Sequence, residues 1–127
     1  MIRFNDWTID RSTLTVTHGA YRYHFNGKKG NERKYIPSGM SGRFLVIEHL
    51  LLANRPTRDS LFEYIYGNNL EGGPEVGTKQ IDVMVHMMKL EVFPKLNCYL
   101  RSARGAGQMW YYIKPLFEAP DVVRQSA

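Results

Sequence analysis

The chain has 127 residues, 43% of them hydrophobic, which suits a single domain around one apolar core. Its net charge of +5 and pI near 9.4 favour an acidic partner, and no apolar run approaches the ~20 residues of a bilayer span, so no membrane role is expected. A single cysteine, Cys98, excludes an internal disulfide and suits a reducing cytoplasm, and neither a Cys/His cluster nor a carboxylate-rich loop points to a metal or any other cofactor.

Residues 2 to 37 read as a small antiparallel sheet. Ile2 and Phe4 alternate with polar neighbours, and Trp7 and Ile9 follow the Asn5-Asp6 break. Thr13–Thr17 alternates strictly and is rich in β-branched residues. His18-Gly19 then turns the chain into Tyr21–Phe25, where Tyr21, Tyr23 and Phe25 share a face. Asn26–Arg33 is a polar, glycine-rich loop, and Lys34–Pro37 is a candidate last strand. Ser41, with Ser38 as the alternative, caps a helix to about Ala53 that carries Phe44, Leu45, Ile47, Leu51 and Leu52. Asn54-Arg55-Pro56 breaks it. Thr57 caps a second helix, Arg58 to about Tyr66, with Leu61, Tyr64 and Ile65 inward and Asp59 near its positive end. Gly67-Asn68-Asn69 ends that helix, and three glycines with Pro74 make residues 70–77 a loop.

Thr78 is expected to cap a third helix that runs to Val92 and stops before Pro94. Ile81, Val85, Met88 and Val92 recur at helical spacing and define its buried stripe. Two extended runs, Cys98–Ala103 and Gln108–Ile113, flank Arg104-Gly105-Ala106-Gly107, where both glycines are expected to supply the φ > 0 of a tight hairpin. Residues 1–114 therefore form one α+β domain with 115–127 as a tail. The order is an N-terminal antiparallel β-sheet, a three-helix core and a C-terminal hairpin wing, which is a winged helix-turn-helix. Such a fold grips DNA with a helix in the major groove and the wing across neighbouring phosphates.

The same spacing turns Lys79, Val83, His86, Met87 and Leu90 away from the buried stripe, with Lys89 on the flank. In a major groove Lys79 reaches a phosphate or a guanine edge, and His86 reaches either. Val83, Met87 and Leu90 meet thymine methyls, and Lys89 meets a phosphate. Arg101 and Arg104 belong to the wing, with Arg104 in or over the minor groove. Each residue also has a plainer role. Lys79 and Lys89 taken alone are solvated charges, and His86 alone is a surface histidine. Met84, Met87 and Met88 more often fill core gaps, and Arg101 has Glu91 and Glu118 as candidate ion-pair partners. The functional reading gains weight because the set shares one surface in the expected fold.

With these residues in place, the chain resembles the OmpR/PhoB-type winged-helix effector domain of bacterial response regulators. The first-helix signature is similar to Glu48-His49-Leu50-Leu51-Leu52, and the end of the second helix to Tyr66-Gly67. The recognition-helix signature matches Lys79, Ile81-Asp82-Val83 and Val85, and the wing run matches Arg101-Ser102-Ala103-Arg104-Gly105-Ala106-Gly107. The resemblance implies sequence-specific DNA binding in transcription control, as a homodimer on repeated half-sites. It also implies contact with RNA polymerase through loop 68–77. Where the family places several basic residues along the second half of the recognition helix, this chain has His86, Met87, Lys89 and Leu90. The expected form is stand-alone, without a receiver domain or phosphorylation control.

The alternative is a winged-helix module whose main partner is a protein, such as RNA polymerase or another regulator, because Val83, Met87 and Leu90 make an apolar outward face. No enzyme is expected. The histidines at 18, 24 and 49 are scattered, Ser41, Ser60 and Ser102 have no base that spacing places beside them, and Gly105-Ala106-Gly107 opens no helix as a nucleotide fingerprint would.

Overall fold

The N-terminal alternation does form strands: β1 (Ile2–Phe4), β2 (Trp7–Asp10), β3 (Thr15–His18) and β4 (Tyr21–His24). They pair in that order, antiparallel throughout. The computed structural model describes residues 1–27, 39–53, 55–67 and 78–115, apart from the side chains of Phe4 and Thr78. The expected strand Thr13–Thr17 begins only at Thr15. Asp10 accepts from the Ser12 amide at 3.0 Å and its hydroxyl at 2.6 Å, and Leu14 takes a left-handed φ of 52° while its side chain stays buried. This local Asx turn overrides the β propensity of the run.

Three helices follow. α1 (Gly42–Leu52) is capped by the Ser41 hydroxyl, which accepts from the Phe44 amide at 3.3 Å. α2 (Arg58–Tyr66) is capped by Thr57, which accepts from the Ser60 amide at 3.0 Å. Each such cap contributes about 1 kcal/mol. α3 spans Thr78–Glu91. Thr78 is thus the first helical residue rather than the cap, and the capping position falls outside the described residues. α3 ends one residue before Val92, and the chain passes into a 3-10 turn, Phe93–Leu96, with Pro94 in its opening positions. Asn97, at φ 56°, redirects it into the hairpin β5 (Cys98–Gly105) and β6 (Gln108–Pro115). The candidate strand Lys34–Pro37, the alternative cap Ser38, loop 68–77 and the tail beyond Pro115 lie outside the described residues.

The helices pack on one another through Phe44 and Ile47 of α1, Leu61 of α2, and Ile81 and Met88 of α3, all fully buried. The sheet closes this core from one side through Ile9, Val16 and Phe25, whose ring meets Phe44 edge-on at 5.8 Å. His18 stacks on Trp7 and donates from Nδ1 to the Leu96 carbonyl at 2.6 Å, tying the sheet to the 3-10 turn. The segment entering α2 lies along the hairpin: Thr57 bridges Trp110, and the Tyr111 amide donates to the Pro56 carbonyl at 2.9 Å. That pairing sets the start of α2 against β6. Among the described residues no helix is long and apolar enough to cross a membrane.

Candidate nucleic-acid interface

The outer face of α3 is open. Ile81, Val85, Met88 and Val92 are buried, together with Met84. Lys79, His86 and Lys89 are exposed, Met87 is half-buried, and Val83 and Leu90 are 60% and 65% exposed. Positions 79, 83, 86 and 90 recur at intervals of three and four, so they form one line along the helix. Fourteen residues make α3 on the order of 20 Å long.

Both carboxylates of α3 are neutralised by neighbouring helices. Arg58 at the start of α2 donates to Asp82 Oδ2 at 3.2 Å, and Arg43 of α1 donates to Glu91 Oε2 at 2.7 Å. Glu91 is therefore committed to Arg43, and the expected Arg101–Glu91 pair does not form. Among the described residues, Lys79, Lys89, Arg101 and Arg104 have no carboxylate at ion-pair distance. Lys79 and Lys89 thus give the outer side of α3 fixed positive charge that no described carboxylate pairs with.

The hairpin is tied to the N-terminal half of α3 by Tyr111. Its hydroxyl donates to Asp82 Oδ1 at 3.3 Å. Burial, assisted by the Asp82 charge, pushes the Tyr111 phenol up to about 12, so it stays protonated and able to donate. Strand register pairs Ser102 with Tyr111 and Arg104 with Met109. Alternation along the strand therefore puts Arg104 on the Tyr111 side. Arg104 and Arg58 line one cleft of about 520 Å³ with Gly105, Gly107, Gln108 and Met109. The hairpin arginine is thereby brought beside the start of α2, whose first residue holds the start of α3.

Arg101 is separated from this group. It sits opposite Tyr112, and Ala103 sits opposite Trp110, so these four share the other hairpin face. On that face Arg55 lies over the Tyr112 ring at 4.5 Å. The two wing arginines of the sequence reading occupy opposite faces of one hairpin.

The turn also differs in detail from expectation. The positive φ values fall on Ala106 (50°) and Gly107 (76°), not on Gly105. Both central residues at φ > 0 are the requirement of a type I′ hairpin turn. Gly105 lies close under the Trp110 ring, where a Cβ would come within 3.1 Å of it and press the ring outward.

Two features were missed by sequence reasoning. Arg58 was read only as the first residue of a helix, although its place directly after the Thr57 cap was the available signal. Ser60, expected to lack a neighbouring base, has the His49 Nε2 at 2.7 Å. Burial, the larger influence, pushes the His49 imidazole down against the pull of Glu48, and its ring stacks on Tyr64. The described clefts are lined by neither His49 nor Ser60, so the pair reads as an interhelical tie. Cys98 is buried and its thiol is pushed up to about 12 by desolvation, which makes it unreactive. Among the described residues no His, Cys, Asp and Glu group is arranged to hold a metal ion. No protein-family model, curated protein or solved structure matches this chain.

Proposed function

We propose that this chain is a sequence-specific, double-stranded DNA-binding transcription regulator, built as a winged helix of the OmpR/PhoB type. α3 enters the major groove, and the hairpin is the wing, with Arg104 on the backbone or in the minor groove. One observation carries the reading. The exposed line Lys79-Val83-His86-Leu90 adjoins, through Asp82 and Arg58, the cleft that holds Arg104. A polyanion laid along that line meets the cations Lys79, Lys89 and Arg104, while the two carboxylates of α3 are already paired with Arg58 and Arg43. Phosphates supply most of the affinity in such an interface and base edges supply the choice of site. Within this reading Arg101 serves the far side of the wing. A homodimer on repeated half-sites, polymerase contact through loop 68–77 and a cytoplasmic setting belong to the same proposal.

Selection from a random duplex pool tests it. An enriched site is expected, with a direct repeat if the chain acts as a dimer. Lys79→Ala and His86→Ala should shift the preferred sequence, and if neither does, α3 is not the reader. The second reading, a protein-interaction module, draws on the exposure of Val83 and Leu90. It predicts a partner contact that scarcely changes with salt, whereas duplex affinity falls steeply.

A further inference from the structure

Resting on the duplex-binding reading, we infer that base discrimination by α3 is carried by the C5-methyl groups of the major groove. The preferred half-site is therefore rich in thymine, and 5-methylcytosine is accepted where a thymine methyl is read. The outward line of α3 is unusual for a surface that meets a polyanion. Its apolar members are Val83 and Leu90, at 60% and 65% exposed, with Met87 half-buried beside them. Only His86, between them, brings a hydrogen-bonding ring. The fixed charges stand at the margins: Lys79 at the head of the line, Lys89 on the flank, and Arg104 in the cleft it shares with Arg58, which is itself paired with Asp82.

This layout selects its occupant. An apolar protein surface would have to desolvate Lys79, Lys89 and Arg104 without partners, whereas Arg58 already has Asp82 beside it. A duplex satisfies them with phosphates, and within its major groove the one apolar group on a base edge is the C5-methyl. The charge pattern is kept favourable from within, since Arg58 and Arg43 hold Asp82 and Glu91 away from a phosphate-bearing ligand at 3.2 and 2.7 Å. Val83 and Leu90 carry neither a donor for the N7 and O6 acceptors nor an acceptor for the N4 amine. Thymine and 5-methylcytosine carry the methyl on the same ring carbon, so both present it to the same side chains.

Removal of the methyl without change to the pairing is the test. The duplex enriched from the random pool is remade with uracil for every thymine, and both forms are titrated with the full chain at one salt concentration. Each covered methyl is worth about fourfold, so two or three give a loss of about tenfold or more in the uracil form. At the most uracil-sensitive position, a 5-methylcytosine–guanine pair should bind several-fold tighter than cytosine–guanine. Val83→Thr with Leu90→Gln should bind the thymine and uracil forms alike. Both sites are exposed, so the variant keeps the parent's melting temperature, and the single Leu90→Ala variant supplies the same comparison independently. Equal affinity of the parent for the two forms overturns the inference while leaving duplex binding in place. Persistent discrimination by the variants overturns it too, because the preference then comes from duplex shape. Failure to enrich any duplex overturns both this inference and the function it rests on.

Discussion

Glu48, on the inner side of α1, is 1% exposed and accepts from Arg11 Nε at 2.8 Å, Arg11 Nη2 at 2.7 Å and the Tyr64 hydroxyl. Desolvation is the largest single influence and pushes its carboxyl up, but the Arg11 and Tyr64 hydrogen bonds with the Arg11 charge together hold it below its ordinary value of 4.5. The pair joins the β2–β3 turn to the helical core. Arg11→Met strands the carboxylate and should cost about 3 kcal/mol in urea unfolding, the low end for an abandoned buried charge because water reaches the half-exposed Arg11 side. A depressed carboxyl gives stability that is present above pH 4.5 and lost as pH falls through the folded value. The parent should therefore lose stability below about pH 4.5, and Arg11→Met should lose less. His49 has a depressed pKa too, so its neutral form is favoured in the fold and stability is lost as pH falls below 6.5. His49→Gln should flatten the melting temperature between neutral pH and pH 5. At the hairpin tip, Ala106 holds φ 50° without being glycine. Ala106→Asn, which suits that conformation, should raise stability by about 1 kcal/mol. An unchanged melting temperature would show that the turn does not hold Ala106 in that geometry.

At the scale of elements, Asp82 is the joint between α2, α3 and the hairpin. Asp82→Ala removes the Arg58 ion pair and the Tyr111 hydrogen bond together, at about 1–2 kcal/mol for two partly exposed contacts. Hydrogen exchange should accelerate in β6, and the freed Arg58 should steepen the salt dependence of duplex binding. α1, α2 and the hairpin were legible because local chemistry agrees with the final fold. Ser41 and Thr57 cap where spacing put them, and the glycines around Ala106 mark a turn. Leu14 and the 3-10 turn at Phe93–Leu96 were not legible. Leu14 takes its left-handed φ inside a run that alternates as a strand should. Pro94 ends α3, but nothing in its own chemistry forces the chain to keep turning; burial of Phe93 and Leu96 does.

For the whole molecule, the exposed line of α3 could be read from the 3.6-residue period alone, since the buried stripe fixes its opposite. What the period does not contain is register and juxtaposition. The separation of Arg101 from Arg104 was open to spacing, since they stand three apart on β5 and strand alternation puts them on opposite faces, but which β6 residues they face was not. The meeting of Arg58 with Arg104 follows from the Pro56-Thr57 segment pairing along β6. The His49–Ser60 contact likewise depends on how α1 crosses α2. The last two join residues of different elements, and spacing within one element is silent about such pairs. The positive surface that results is made of residues from α2, α3 and the hairpin, so its test must sense all three at once. That test is the salt dependence of duplex binding by the parent chain and by Arg104→Ala, measured on the selected site. The account predicts a log–log slope of about −3 for each bound protomer of the parent, and for Arg104→Ala a slope shallower by about one per protomer with a loss of ~1 kcal/mol or more at fixed salt. A slope near zero, or an Arg104→Ala chain that binds every duplex as the parent does, would contradict it.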